Sequence, residues 1–145
     1  MPAWVQQGYQ AYAKRMPADV ALQLHEIPLQ KRHTNQSNDK QQAKESQLML
    51  QAIPTNAYCV GLEIHGKAYT TENLAQCFTR WSQQSANIAL LIGGPEGLSD
   101  TCRARAQESW SLSQLTLPHP IVRVVLAEAL YRAWTVTQGH PYHRT

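Results

Sequence analysis

The chain has 145 residues, 43% of them hydrophobic and 16% charged, with a formal net charge of +3. That balance excludes a disordered chain and suits one domain, residues 1–145, built around a single core. No apolar run approaches the ~20 residues of a membrane span. Met1 to Arg15 also lacks the basic-then-apolar layout of a secretion signal, so a cytoplasmic protein without membrane contact is expected. Three cysteines, Cys59, Cys77 and Cys102, show no CxxC spacing. They fit free thiols in a reducing compartment better than disulfides or a zinc site. The positive excess is compatible with a polyanionic partner but does not require one. Lys14 and Arg15, Lys31 with Arg32, and the tail His140, His143 and Arg144 lie away from the most apolar segments.

In chain order, Ala3 to Arg15 place Trp4, Val5, Tyr9, Tyr12 and Ala13 on one helical face, ending at Met16-Pro17. Val20, Leu22 and Leu24 alternate with polar residues, which predicts a strand over Val20–Ile27 stopped by Pro28. Gln30 to Gln47 is polar, with a Thr-Asn-Gln-Ser-Asn-Asp stretch suited to a loop. A helix is expected from near Ser37–Lys40 to Ile53. Ala57–Ile64 reads as a strand closed by His65-Gly66. Thr71 and Glu72 open a helix with Leu74, Cys77, Phe78 and Trp81 on one side. Ile88–Ile92, five apolar residues in a row, predicts a central parallel strand covered on both faces. After a short helix, Leu112–Leu117 reads as another strand. Pro120 sits at the first turn of a last helix whose apolar stripe is Val122, Val125, Leu126, Ala129, Leu130, Ala133 and Trp134. Alternating strands and helices predict a layered α/β fold with a mostly parallel sheet.

The pattern offers few chemical motifs. Gly93-Gly94-Pro95-Glu96-Gly97 is neither a P-loop nor a dinucleotide fingerprint. Two adjacent glycines after a buried strand suit either a tight turn or a ligand lying against backbone. Leu112–Leu117 on its own is an amphipathic strand. His140 and His143 flank a proline that spoils helical metal-ligand geometry, and no metal site is expected. The aromatic and basic tail could clamp RNA through Tyr142 and Arg144, or could be a frayed terminus. No GxSxG motif or activated cysteine is visible. Spacing alone ends at an α/β domain with a backbone-lined pocket.

The residues themselves go further. LLIGGPEGLS at Leu90–Ser99, SWSLSQLTLPHPIVRVVLAEALYRAW, the ending HPYHR and the opening MPAWVQQGY closely resemble the RlmH family. Its members are SPOUT-class methyltransferases of ribosomal large-subunit RNA. The resemblance implies a SPOUT-type, mostly parallel sheet with helices on both faces and a C-terminal trefoil knot, an exception to unknotted topology. It implies S-adenosylmethionine as cofactor, held at Leu62, Gly93 and the run Leu112, Ser113, Gln114, Leu115, Thr116 and Leu117. It also implies a homodimer, in which the stripe of the last helix is a candidate for burial between subunits.

The implied reaction is methyl transfer to N3 of a pseudouridine in 23S rRNA of the assembled ribosome. N3 must lose a proton, so a base or acceptor is expected near the methyl. Arg132, Tyr142, His143 and Arg144 are the candidates for handling RNA, with action across the dimer on the partner's cofactor as one arrangement. Family members usually begin with a further apolar strand. Here Met1-Pro2 stands where the first helix begins: either the native chain starts upstream of Met1, or that strand is absent and a neighbouring sheet edge is open. Two alternatives remain: a SPOUT methyltransferase acting on another RNA, and a truncated, catalytically impaired dimer that binds RNA.

Overall fold

The computed structural model describes residues 1–34 and 36–144. Asn35, inside the expected polar loop, and Thr145, the last residue of the expected domain, lie outside the described residues. Among the described residues five helices and three strands run in the order α1 (Ala3–Ala13), α2 (Asp39–Ala52), β1 (Tyr58–Ala68), α3 (Thr71–Gln84), β2 (Ile88–Ile92), α4 (Asp100–Arg105), β3 (Glu108–Ser111) and α5 (His119–Thr137). Short 3-10 turns cover Ala18–Val20 and Pro141–Arg144. The strands form one parallel sheet in the order β2-β1-β3.

Cys59, Val60 and Gly61 of β1 are buried, and the alternation of this first half of the strand divides the core. Val60, with Tyr58 and Leu62, faces the cluster of Leu74, Cys77 and Trp81 from α3 and Leu126, Leu130 and Ala133 from α5. Ala57 and Cys59 face the opposite cluster with Leu98 and Cys102, against which Met49 and Leu50 of α2 also pack. β2 alternates in the same sense: Ile88, Leu90 and Ile92 join the first cluster, Ala89 and Leu91 the second. A period of two on a strand with helices on both sides produces this split. α1 lies on α5 through Tyr9, Ala13 and Ala127.

α3 starts at the expected Thr71–Glu72 pair, with Thr70 as its cap. The Thr70 hydroxyl accepts from Asn73 N at 3.0 Å, and the Asn73 side chain accepts from Thr70 N at 3.4 Å, a reciprocal cap. The buried Trp81 indole N–H donates to Glu108 Oε1 at 2.6 Å, tying α3 to β3. Arg80 at 3.0 Å and the Tyr58 hydroxyl at 3.0 Å also donate to that carboxylate.

Four expectations change. Residues 21–33 form no strand. Leu22 and Leu24 pack instead onto the α1–α5 layer, so the alternating apolar residues dock on helices while the backbone has no ladder partner. Ile88–Ile92 is an edge strand rather than the central one, because β1 takes both ladders. β1 also continues past His65-Gly66 to Ala68. Trp110 is opposite both Leu62 and Lys67, so Glu63–Gly66 bulge between two stretches of pairing. Finally, Leu112–Leu117 is a loop, and the strand is Glu108–Ser111. The Ser113 hydroxyl accepts from Leu115 N at 2.9 Å, and this local turn competes with a ladder.

With β2 at the edge, its outer side borders a cleft of about 890 Å³ walled by residues 18–29, α2, α3 and α5. The buried Tyr9 hydroxyl lines this cleft without a hydrogen-bond partner among the described residues. No helix among the described residues is long and apolar enough to cross a membrane.

Glu108 gives a test of the frame. Burial alone would raise its pKa, but hydrogen bonds from Arg80, Trp81 and Tyr58 outweigh that and hold it below the ordinary carboxylate range. A lowered folded pKa means the stabilisation is complete above the ordinary value and is lost as pH falls through the folded one. Glu108→Ala should cost about 1–3 kcal/mol at neutral pH, because the Trp81 N–H is left buried and unpaired. Chemical denaturation of the wild type and Glu108→Gln should converge as pH falls below 4.5. A constant difference down to acid would contradict this role.

Candidate cofactor cradle and C-terminal tail

Parallel pairing brings three chain exits to one end of the sheet. Leu62 is in register with Ile92 on one side and Trp110 on the other. Leu62, the Ile92–Gly93 step and the Ser111–Leu112 step therefore lie side by side at the C-terminal ends of β2 and β3, where β1 enters its bulge. That is where ligands dock on open parallel sheets. The expected cofactor residues Leu62, Gly93 and Leu112–Leu117 are thus brought together, the last group as an irregular loop. Leu62, Gly93, Leu112, Ser113 and Leu117 are half-buried, while Gln114, Leu115 and Thr116 are exposed. Leu115 is 72% exposed and Ile64, two residues beyond Leu62, is 41% exposed.

The glycines at this end have distinct reasons. A Cβ on Gly93 would fall on the carbonyl carbon of Gly97 and lie 2.5 Å from Leu98 N. Gly93 is therefore required first by its own loop, where Gly97 N donates to Gly94 O at 3.0 Å. Gly97 adopts φ +79°, a backbone region that glycine populates freely, and a Cβ there would meet nothing within 4 Å. A Cβ on Gly66 would come within 2.7 Å of the Trp110 backbone, so the β1 bulge passes directly over β3. Glu63 fixes the start of that bulge, accepting from Arg103 Nε and from the Ser109 hydroxyl at 3.1 Å.

The turn Gly94–Gly97 is held from outside. Arg32 donates through Nε and NH2 to Glu96 at 3.1 and 2.8 Å, and through NH1 and NH2 to Glu45 of α2 at 2.6 and 2.8 Å. Hydrogen bonds from Arg32 lower the pKa of both carboxyls. The sequence shows Arg32 only as part of a basic pair. Its partners lie 13 and 64 residues away, so no local pattern marks them.

The tail candidates cluster at the far end of α5. Glu128 accepts from Arg132 at 2.7 Å and from the Tyr142 hydroxyl at 2.8 Å. Burial, then the bond to Glu128, pushes the Tyr142 phenol up. Tyr142 meets the Tyr131 ring edge-on at 4.7 Å, with Arg132 over its face at 4.9 Å. Arg15 of the segment after α1 lies over Tyr12 and Tyr131, 5.6 Å from each, and 6.0 Å from Tyr142. His143 is half-buried, its Nδ1 enclosed without a partner among the described residues, and Arg144 is exposed. The tail is thus a docked 3-10 turn rather than a frayed end. The 19 residues of α5 separate it from the Leu112–Leu117 loop by about 28 Å at the usual helical rise. Within one chain the structure does not bring the tail candidates to the cradle.

The cleft beside β2 and the cradle are different places. The cleft beside β2 reaches Gly93 but touches neither Leu62 nor any residue of Leu112–Leu117. Three backbone segments converge at the strand ends. No group of three or more potential metal ligands occurs among the described residues. For the loop, Gly97→Ala should lose about 1–2 kcal/mol through φ alone. Gly93→Val should lose more, because a side chain meets backbone that cannot move aside. Thermal unfolding of the two variants checks the order; equal losses would mean that Gly93 is not sterically locked.

Comparison with known proteins bears on this arrangement. Residues 1–143 match the family described as predicted SPOUT methyltransferase. The chain is 55% identical over 144 residues to ribosomal RNA large subunit methyltransferase H of Hahella chejuensis, covering 99% of this chain and 92% of that protein. It is 53% identical to the protein of that name from Methylococcus capsulatus, and 51% identical to the one from Marinomonas sp., each again over 99% of this chain and 93% of the relative. A three-stranded parallel sheet between helix layers, with its backbone loops gathered at one end, belongs here to a member of the SPOUT methyltransferase family.

Proposed function

We propose that this chain is an S-adenosylmethionine-dependent methyltransferase of ribosomal large-subunit RNA, with N3 of a pseudouridine in the assembled ribosome as acceptor. The observation that carries the reading is the convergence of Leu62, Gly93 and Leu112–Leu117 at one sheet end, in a chain about half identical to three rRNA methyltransferases. The residues present fit the cofactor: half-buried Leu62, Leu112 and Leu117 offer apolar surface to a base, and the exposed run between them offers main-chain polar groups. When bound, the cofactor supplies an electrophilic sulfonium methyl. The chain's own part is to hold the cradle rigid, exclude water and orient N3 in line with that methyl. The N3 proton must pass to an acceptor as the new N–C bond forms.

The separation of tail and cradle favours a homodimer in which Arg132, Tyr142, His143 and Arg144 serve the partner's cradle. Exposed Trp4, Val125, Ile64 and Leu115 supply apolar surface for such pairing. A C-terminal trefoil knot belongs to the same reading, on the strength of the family match.

Labelled methyl transfer should appear with whole ribosomes and be weak with free subunits or tRNA; labelling of tRNA alone would overturn the substrate. Truncation after Gly139 should leave cofactor affinity intact and lower RNA methylation at least about tenfold, the effect of losing positioned contacts. Unchanged turnover would remove the tail from the mechanism.

A further inference from the structure

We infer that Arg32 is a positioning residue for the cofactor loop: a single guanidinium clamps the Gly94–Gly97 turn to α2. This rests on the reading of Gly93 and its loop as part of the cofactor cradle. A guanidinium has five N–H donors in a fixed fork. Here all five are used: Nε on Glu96, NH1 on Gln30 O at 3.0 Å and on Glu45, NH2 on Glu45 and on Glu96. Glu45 is itself held, accepting from Gln30 N at 2.7 Å. Residues 30–32, α2 and the glycine turn are therefore joined through one planar group.

The turn needs such a clamp. Gly93, Gly94 and Gly97 leave it few side chains with which to fix itself, and Pro95 brings no backbone N–H. Glu96 is its polar handle, and Arg32 grips it with two parallel bonds, the geometry that a carboxylate and a guanidinium share. The neighbouring chain also abuts the turn: a Cβ on Gly94 would lie 3.8 Å from Glu45 Oε1 and 3.9 Å from Leu29 Cδ1. With its donors saturated, Arg32 acts on the loop rather than on RNA phosphate, which leaves that work to other cations. Released from Arg32, Gly93 and its turn sample more conformations, and cofactor binding must then supply the ordering that the clamp provided.

Calorimetry with S-adenosylhomocysteine on the full chain tests this with wild type, Arg32→Ala, Glu96→Ala and the double variant. Each single variant should bind about tenfold more weakly, and the double about as weakly as either alone, because the two side chains act through one contact. Arg32→Lys keeps the charge without the fork and should not restore affinity. The KM for S-adenosylmethionine should rise while the KM for ribosomes stays at the wild-type value, a split that a general loss of folding would not permit. Wild-type affinity in Arg32→Ala, or losses that multiply in the double variant, would overturn the inference. If Arg32→Ala does not fold, Glu96→Ala at its exposed position decides alone: weakened binding supports the clamp, and wild-type affinity overturns it. A wild type that binds no S-adenosylhomocysteine would instead sink the methyltransferase reading beneath it.

Discussion

The strand Tyr58–Ala68 takes parallel ladders on both sides, and the rest of the architecture depends on that double pairing. Because both neighbours run parallel to it, three chain exits must emerge at one end. Because Val60 and Cys59 are buried on its opposite faces, it needs helical layers above and below. The Glu63–Gly66 bulge then carries the strand over Trp110, where only a residue without a Cβ fits. A backbone-lined cradle at that end follows from topology before any particular side chain is considered.

Rigidity at the cradle comes from charged clamps placed around it. Glu63 is held by Arg103 and Ser109, and Glu96 by Arg32. On the far side of the sheet, Glu108 gathers Tyr58, Arg80 and Trp81. Each clamp joins elements distant in sequence through a carboxylate that accepts several donors, so donor geometry as well as charge fixes the spacing. For a methyl transfer whose acceleration comes from alignment, such fixed spacing is the chemical contribution the protein can make.

Much of this was legible in the chain. The Ile88–Ile92 run, the glycine turn and the last helix follow from composition and period, and the gathering of Leu62, Gly93 and the 112–117 run follows from family motifs. What stayed hidden has physical reasons. Glu108-Ser109-Trp110-Ser111 lacks β-branched residues and reads as polar, yet Trp110 and Ser111 are buried, while the better-patterned Leu112–Leu117 is turned by Ser113. Continuous hydrophobicity suggested that β2 is central, but a helix layer on each face gives the same signal to an edge strand. Val20–Ile27 alternates because it lies on helices, and periodicity does not report what lies opposite. Arg32 has no local signature, since its function exists only once residues 13 and 64 positions away fold against it.

The length of α5 sets the remaining geometry, because it holds the aromatic and cationic tail a helix length from the cradle of the same chain. The central claim is that main chain at the strand ends holds the methyl donor. A crystal structure with S-adenosylhomocysteine tests it most directly. The account predicts the ligand against the backbone of Leu112–Leu117 and Gly93, with Leu62 beside it. Ligand in the cleft along β2, or no ligand at an occupancy-forcing concentration, would contradict it.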